Sequence, residues 1–501
     1  MPPRSDALDP RTAVLVGGGQ LSHRVDRGAT PMEPVELMAE AARRAAADTG
    51  AAAGEVLAAV DTVAIVQIFS WRYRDPAALV AERIGAPVRR TIHTATGGNM
   101  PQALVNRACL DIESGRADAV LIGGAEAWRT RSAARAAGEH PAWTVQDDTV
   151  APSEVLGHDG PLGHPAETAC GLVAPVQHYP LFESVLRARA GRSHAEHLAH
   201  LSRLWAGFSE VASTNPHAWI QERFSAEQLA TVDPGNRMVG FPYPKRLNSN
   251  NAVEQGAAVL VCSAERARRL GIAPERWVFP HAGTDAHDTL FVSNRPDLGG
   301  SPAIRVAGRR ALALAGVGPD DLAHLDVYSC FPSAVQVAAA ELGFGLDRRL
   351  TVTGGLSFAG GPWNDYVTHA LATMVGVLRD DPGSRGLVTA NGGFLTKHAF
   401  GVYSTEPPAG GFRYDEPQAE VDAAGSVDLA EGATGPATVE AYTVMHDREG
   451  APERAFAAVR LADGRRAWST STDAGVLAEM LATEVVGRSA DLTAEASLSL
   501  R

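Results

Sequence analysis

Cysteine, aromatic side chains and long apolar runs are scarce in this chain of 501 residues, and each scarcity excludes a class of protein. The four cysteines show no CxxC spacing, which excludes a disulfide scaffold, gives no indication of structural zinc and favours a reducing compartment. The apolar run at 257–264 is far shorter than the roughly 20 residues of a membrane span, and no signal-like apolar segment opens the chain. These absences predict a cytoplasmic protein without a membrane span.

Positive charge is also in short supply. The chain has 45 lysines and arginines against 58 aspartates and glutamates, so its formal net charge is −13. We therefore expect no nucleic-acid partner, because nucleic-acid phosphates need a basic surface. An anionic cofactor would need a local basic patch or helix N-termini, since the overall field repels it.

Short apolar runs alternate with helical stretches rich in alanine and arginine. The runs at 12–19, 61–68 and 117–127 have the length of buried strands, and the stretch at 34–50 carries one apolar stripe and ends at a glycine. This alternation predicts an α/β fold with a parallel sheet covered on both faces. The glycines of GGGQ at 17–20 lack a GxGxxG pattern, so they are interpreted as a tight strand exit.

The strand pattern occurs twice along the chain. The runs at 324–331 and 385–394 are similar to those at 61–68 and 117–127, which predicts two related α/β halves. Near the end, alternation at 437–472 is typical of antiparallel strands. The predicted domains are a first half at 1–275 with an inserted helical region at about 128–245, a second half at 276–405, a linker at 406–432, and a C-terminal β domain with its tail at 433–501.

Five segments carry a resemblance to the thiolase superfamily, in the same order along the chain. The stretch at 94–127 resembles the thiolase segment that runs from NxxCxSG to AGGMES, and that at 250–272 is similar to DGAAAVLLMSEEKAxxLGI. Residues 327–331 read VYSCF, where sterol-carrier-protein thiolases have HDCF. Residues 354–365 are similar to GGLxxKGHPLGA, and residues 390–394 to CxGGG.

The resemblance covers about residues 10–405 and implies the thiolase fold. That fold has duplicated βαβαβαββ halves in five αβαβα layers, here with an inserted helical loop domain. The segment from about Thr434 to Gly487 resembles the small OB-like domains of thiolase relatives, so an all-β OB-like C-terminal domain is expected. The whole layout is similar to the type 1 thiolase-like proteins of actinobacteria.

Three catalytic side chains of thiolases are absent from the matching positions. The nucleophilic cysteine corresponds to Gly98, the histidine of GHP to Gly361, and the cysteine of CxG to Ala390. A thiolase needs a thiolate, an imidazole that keeps it deprotonated, and a second thiol that moves the proton. The resemblance also implies an oxyanion hole built from the N–H groups of Gly98 and Gly392, which needs no side chain.

Two side chains are candidates for acid/base chemistry. Cys330 stands at the HDCF cysteine, beside Tyr328 and Ser329 in place of the histidine and aspartate. Its alternative is an inert core cysteine. His398 follows Gly392 closely enough to reach the same cleft.

Further polar and glycine positions are candidates for ligand binding. They flank the degenerate motifs, and loops at strand ends concentrate function. These candidates are Asn364, Asp365, Gly360, Gly361 and Tyr328. The alternative for Asn364 and Asp365 is to cap a helix at 366–378, and His369 is expected only on the face of that helix.

The resemblance implies a coenzyme A thioester as ligand, with no covalently bound cofactor and no metal. The favoured function is an acyl-CoA-binding protein with acyltransferase activity similar to that of acetyl-CoA acetyltransferase. One alternative is a non-catalytic platform for an acyl-CoA, a lipid or a partner protein, and another is a thioester hydrolase without a covalent intermediate. The thiolase resemblance implies a homodimer or tetramer paired through the first-half sheet edge, whereas the added C-terminal domain favours a monomer. That domain is expected to dock a partner protein or to cover the active site.

Overall fold

The first half of the chain alternates buried strands with helices. The computed structural model describes residues 8–158, 160–493 and 496–501. The elements before the insertion are β1 (Ala13–Ser22), α1 (Pro34–Asp48), α2 (Ala53–Ala58), β2 (Thr62–Ile65), α3 (Pro76–Ile84), β3 (Arg90–Thr94), α4 (Met100–Glu113) and β4 (Ala119–Ala127).

The inserted segment is mainly helical, as its composition predicts. Its elements are α5 (Trp128–Ala136), β5 (Glu154–Leu156), α6 (Pro165–Cys170), α7 (Pro175–Arg189), α8 (His194–Thr214), α9 (Ala226–Ala230), β6 (Met238–Gly240) and β7 (Tyr243–Pro244). The first half then closes with β8 (Glu254–Ser263) and α10 (Ala264–Arg269).

The second half and the C-terminal domain follow. The second half contains β9 (Phe279–His287), α11 (Arg309–Ala315), β10 (His324–Asp326), α12 (Pro332–Leu342), α13 (Gly355–Phe358), α14 (Tyr366–Asp380), β11 (Arg385–Gly392) and β12 (Lys397–Ser404). After it come β13 (Arg413–Asp415), α15 (Gln418–Asp422), β14 (Gly435–His446), β15 (Pro452–Leu461), β16 (Arg466–Ser471), α16 (Ala474–Ala482), β17 (Ser489–Leu492) and β18 (Leu498–Leu500).

The strand orders confirm the predicted duplication. The first sheet runs β1-β8-β4-β2-β3-β5 and the second β10-β11-β12-β9-β13. In the first half, β1 pairs antiparallel with β8, β8 antiparallel with β4, and β4 parallel with β2. In the second half, β9 pairs antiparallel with β12, β12 antiparallel with β11, and β11 parallel with β10, which is the same order. The expectation of a wholly parallel sheet is wrong, because β1 and β8 pair antiparallel with their neighbours.

Helices occupy three layers around the two sheets, which confirms the five-layered arrangement. Helix α1 covers the outer face of the first sheet, and α11 packs on the second. Helices α4 and α14 contact strands of both sheets and lie between them. The N-termini of these two central helices position the cavity described below.

The glycines at 17–19 lie inside β1, so their interpretation as a strand exit is wrong. They are there because helices cross the strand at very short range: α1 over Gly17 and Gly19, and α14, through Ala372, over Gly18. A Cβ atom on Gly19 would overlap the carbonyl oxygen of Ala41, and one on Gly17 would overlap that of Ala45. The strand therefore needs residues without side chains at these points.

The C-terminal domain consists mostly of strands and is joined to the body by β6, which pairs with β14. Fully buried Arg187 of α7 donates to Glu484 Oε2 at 2.8 Å and to Tyr442 Oη at 2.8 Å. Fully buried Arg466 donates to Ser293 O at 2.8 Å. Arg187 thus anchors the domain on the insertion and Arg466 anchors it on the second half, while its OB-like class stays a prediction.

The segment at 406–432 contains two ordered elements. Strand β13 adds to the edge of the second sheet, parallel to β9, and α15 follows it. In the described residues, every helix is too short or too polar to cross a bilayer.

The close crossing of α1 over β1 predicts opposite effects for two Gly→Ala substitutions. Gly19→Ala should lower the free energy of unfolding by about 1–3 kcal/mol, because its methyl group overlaps backbone that must move. Gly54→Ala is the matched control, since a Cβ at this exposed helical position meets nothing within 4 Å. It should be neutral or stabilising by up to about 1 kcal/mol.

Chemical denaturation followed by circular dichroism measures both changes. Equal effects for the two variants would contradict the close-packing account of the triple glycine.

Candidate functional site

A cavity of about 560 Å³ lies where the N-terminal ends of α4, α7 and α14 approach the β11–β12 hairpin. Most of its wall is apolar or aromatic. Six of these side chains are Phe69, Trp128, Val176, Phe331, Leu356 and Phe394. Ligand pockets commonly combine such a wall with a few polar groups.

The polar part of the wall brings together five of the residues predicted from the sequence. These are Gly98, Gly392, Tyr328, Cys330 and Asn364. They come from four separate segments of the chain, which the two sheets and the central helices bring together. Their roles in catalysis or binding remain predictions.

The space beside the Cα atom of Gly98, the predicted counterpart of the thiolase nucleophile, is filled. A Cβ atom built on Gly98 would lie 2.6 Å from Tyr328 Oη and 2.6 Å from the carbonyl oxygen of Asn391. Real Cβ atoms do not approach other atoms that closely. The phenol of Tyr328 and the backbone of Asn391 therefore occupy the place where a side chain at 98 would begin.

The backbone of Gly98 lies close to that of Gly392, its predicted partner. Gly98 N lies 3.2 Å from where a Cβ on Gly392 would stand, so the two glycine backbones are in contact. Within the described residues the Gly98 N–H has no hydrogen-bond acceptor. It lies at the N-terminus of the 14-residue helix α4, where the helix dipole favours negative charge.

The two glycines of the degenerate GHP motif lie behind the cavity wall. A side chain on Gly361 would overlap Ser249 Oγ, and Ser249 itself lines the cavity. A side chain on Gly360, whose φ is +115°, would overlap Gln255 Oε1. The structure places neither glycine in the cavity wall, so ligand contact by Gly360 and Gly361 stays a prediction.

Cys330 lines the cavity as a buried thiol beside two polar groups. Asn391 Nδ2 lies 3.8 Å from Cys330 Sγ and donates to Tyr179 Oη at 2.9 Å. Burial raises the pKa of Cys330 to about 12. The thiol is therefore protonated at neutral pH, a state that donates a hydrogen bond but is a poor nucleophile.

Asn364 connects two loops of the first half. Its Oδ1 accepts from Gly97 N at 3.1 Å, and its Nδ2 donates to Gln67 O at 2.9 Å. It thereby fixes the loop in front of α4 from the start of α14. Its side chain does not cap α14, and neither does that of Asp365.

Asp365 lies outside the cavity wall, in a buried polar cluster. Its Oδ2 is 3.6 Å from His369 Nε2, and His369 Nδ1 is 3.0 Å from Gln20 Oε1. Burial, together with the charge of nearby Glu126, raises the pKa of Asp365 well above its usual value. Burial also lowers the pKa of His369 to about 3, so the cluster is held neutral.

Glu126, which matches the thiolase glutamate, holds the mouth of the cavity. Its two oxygens accept from Phe69 N at 2.8 Å and Ser70 N at 2.7 Å. Burial raises the pKa of Glu126 to about 7. The loop that carries Phe69 is therefore fixed by a carboxyl group behind it.

His398 does not line this cavity, although its strand partner Asn391 does. It is buried with its Nε2 3.6 Å from Asp288 Oδ2, and it borders a separate cavity beside α4. The sequence distance from Gly392 suggested a shared cleft, but β11 and β12 form a hairpin in which His398 pairs with Asn391. Its predicted acid/base role is therefore not supported by proximity to Gly98.

Three aromatic side chains at the mouth escaped the sequence analysis. Trp363 lies 5.1 Å from Phe69 and 5.8 Å from Trp128 between ring centroids. Trp363 has a φ of 48°, a left-handed conformation that bulky residues rarely adopt and that is enriched at functional sites. The available signal was a tryptophan that directly follows a Gly-Pro turn.

Comparisons with known proteins agree with this architecture. Residues 416–496 match the family model described as the thiolase-like protein type 1 additional C-terminal domain. The crystal structure of a monomeric SCP2-thiolase like protein type 1 from Mycobacterium smegmatis superposes with a TM-score of 0.84 and is 34% identical. That match covers 99% of this chain and 100% of the other.

Two acetyl-CoA acetyltransferases are more distant. The enzyme of Methanocaldococcus jannaschii is 27% identical over 270 residues, 54% of this chain and 60% of that protein's length. The structure of the Syntrophomonas wolfei enzyme has a TM-score of 0.56 and is 14% identical, covering 79% of this chain and 100% of that one. The latter likeness concerns the fold alone.

The filled space beside Gly98 predicts coupling between two substitutions. Gly98→Ala should destabilise the protein by about 1–3 kcal/mol, because its methyl group meets Tyr328 Oη and Asn391 O. Tyr328→Phe removes one of these obstacles. The double variant should therefore be more stable than the sum of the single effects predicts, by about 0.5 kcal/mol or more.

Urea unfolding of the wild type and the three variants measures this cycle. Additive effects would show that the phenol does not limit the space at position 98.

The neutral imidazole of His369 predicts a loss of stability in acid. Its pKa is about 3 in the folded protein, against about 6.5 when unfolded. The neutral imidazole contributes fully to the free energy of unfolding at pH values above its pKa in the unfolded chain. This contribution is lost as the pH falls toward the pKa in the folded protein, by up to about 1.4 kcal/mol per pH unit. His369→Gln should flatten the pH dependence of the unfolding free energy in this window.

The control is His140→Gln, which changes an exposed imidazole. This variant should keep the wild-type pH dependence in the same titration series. A wild-type slope for His369→Gln would contradict the assignment.

Proposed function

The chain belongs to the type 1 SCP2-thiolase-like proteins, and from that premise we propose that it binds the acyl group of a coenzyme A thioester without forming an acyl-enzyme. The observation that carries the proposal is the cavity beside Gly98. It has a largely apolar wall and a polar end at the thiolase catalytic positions, yet the space of the nucleophile is filled.

Covalent catalysis lacks a nucleophile in this cavity. Gly98 and Gly361 carry no side chain, and Cys330 is protonated because burial raises its pKa to about 12. Attack on a thioester needs a thiolate or another activated nucleophile. The acetyltransferase activity named for the distant relatives is therefore not proposed for this chain.

The polar end of the cavity is suited to a thioester carbonyl. We assign the Gly98 N–H, at the N-terminus of α4, as the main donor, with the adjacent backbone of Gly392 as its predicted partner. The hydroxyl of Tyr328 lies beside them as a further donor. The carbonyl would be held and polarised there, while the acyl chain lies along Phe331 and Leu356.

The phosphates of coenzyme A need positive charge outside the cavity, because no arginine or lysine belongs to its described lining. Trp128 lines the mouth and is the first residue of α5. Arg129, Arg131 and Arg135 follow in this helix, which contains no acidic residue. This helix would supply the local positive charge that the phosphates of coenzyme A need, because the net charge of the chain is negative and repels them.

Hydrolysis of the thioester without a covalent intermediate is the less favoured function. It requires a general base within reach of a water molecule. The titratable side chains in the described lining are Tyr179, Tyr328 and Cys330, and burial raises the pKa of each. All three are protonated at neutral pH, and binding is therefore proposed over hydrolysis.

We propose that the protein acts as a monomer. In the first sheet, β5 of the insertion pairs with β3 and covers part of the edge through which a thiolase dimer was expected to form. Covered edges do not template pairing with another chain. The Mycobacterium smegmatis relative is described as monomeric.

A chain-length series tests the binding proposal. Calorimetry with saturated acyl-CoAs from acetyl to hexadecanoyl should show Kd falling by about fourfold per methylene, equivalent to about 0.8 kcal/mol, until the cavity is full. Leu162→Trp, which adds volume at the cavity wall, should raise the Kd most for the acyl-CoAs with longer chains. Val232→Trp, at an exposed position outside the described lining, is the matched control.

Affinity that is independent of chain length would exclude the cavity as the acyl site. An acyl mass increment on the intact protein would contradict the non-covalent part of the proposal.

A further inference from the structure

A second cavity, of about 610 Å³, borders the same loop that carries Gly98. Residues 96–98 line the acyl cavity, whereas Ala95, Asn99 and Met100 line this second one. Its floor is apolar, with Ala103 and Leu156 among the side chains. Unlike the acyl cavity, it is bordered by many charged groups.

One wall carries a surplus of positive charge. Asp111 is fully buried, and it accepts hydrogen bonds from Arg90, from Arg107 at 2.9 Å and from Arg116 at 2.8 Å. Although burial opposes ionisation, these arginines hold the pKa of Asp111 below its usual value. Glu154 is a second carboxylate, 3.1 Å from Arg107, so three guanidinium groups face two carboxylates.

The surplus charge points to the cavity because Arg107 and Arg116 both line it. Asp111 binds them through Nε atoms, which fixes the planes of both guanidinium groups. A guanidinium held in this way is preorganised for the oxygens of a carboxylate or phosphate.

The other wall presents hydrogen-bond acceptors. Asp285 Oδ2 accepts from Tyr414 Oη at 3.0 Å and from Asn106 Nδ2 at 2.8 Å. Glu416 contacts the same phenol, so one phenolic proton serves two carboxyl groups. Burial also raises the pKa of Asp285 to about 6. This wall is therefore short of donors, which a ligand hydroxyl or ammonium group would supply.

We propose that this second cavity binds a small organic anion, a carboxylate or phosphate monoester that also carries a hydroxyl or amino group. The anionic end would pair with Arg107 and Arg116, and the donor end with Asp285 and Glu416. This site is separate from the acyl cavity and does not depend on the proposed acyl-CoA binding.

Calorimetry at low ionic strength tests the proposal with two probes and two neutral analogues. The probes are γ-hydroxybutyrate and glycerol phosphate, and the analogues are butanediol and glycerol. At least one anion should bind with a Kd of about 1 mM or tighter, and neither neutral compound should bind. The anion that binds identifies the carboxylate or the phosphate as the preferred group.

Variants locate the binding. Arg116→Gln should raise the Kd for the anion by about fivefold or more, because one charge-assisted contact is lost. This side chain is 54% exposed, and Asp111 keeps two other arginines, so the fold should be retained. Arg203→Gln, at an exposed arginine in a different surface groove, is the matched control and should bind as the wild type does.

A wild-type circular-dichroism spectrum and thermal midpoint for Arg116→Gln would verify that the variant is folded. The absence of saturable binding by both anions at about 20 mM would overturn the proposal. Equal affinity of the wild type, Arg116→Gln and Arg107→Gln would overturn it as well.

Discussion

The contact between the backbone of Gly98, the phenol of Tyr328 and the carbonyl of Asn391 determines what the central cavity can do. Because these groups fill the space in which a side chain at position 98 would begin, no side chain fits there unless its neighbours shift. The same contact leaves the Gly98 N–H, just before α4, without an acceptor among the described residues. In the proposed function, this N–H would hold the carbonyl of a thioester.

This contact depends on the layers around it. The two sheets hold α4 and α14 between them, and Asn364 joins the start of α14 to the loop in front of α4 through Gly97. The outer wall of the cavity begins at α7, whose buried Arg187 is fixed by the C-terminal domain. The added domain thus contributes to the cavity indirectly, by fixing a helix that lines it.

The fold was predictable because its signals lie in short segments of the sequence and occur in both halves of the chain. Buried strands appear as continuous apolar runs, and the ordered motifs identify both halves. The antiparallel strands β1 and β8 were not predictable in the same way, because a strand buried on both faces looks alike in either direction. The glycines at 17–19 were misinterpreted because their cause is the helices that cross them, not the local turn.

The candidate site was predictable only in part. Matching motifs placed Gly98, Gly392, Tyr328, Cys330 and Asn364, which do line one cavity. They did not place His398, because a hairpin turns it toward Asp288. The filling of the nucleophile space by Tyr328 and the second cavity beside Arg107 both arise from contacts between distant segments, which no single motif contains.

A crystal structure of the protein with dodecanoyl-CoA tests the central claim most directly. The account predicts an intact thioester, with its acyl chain in the cavity beside Phe331 and Leu356 and its carbonyl oxygen within hydrogen-bond distance of Gly98 N. An acyl group covalently attached to Cys330, or an acyl chain bound elsewhere with this cavity empty, would contradict it.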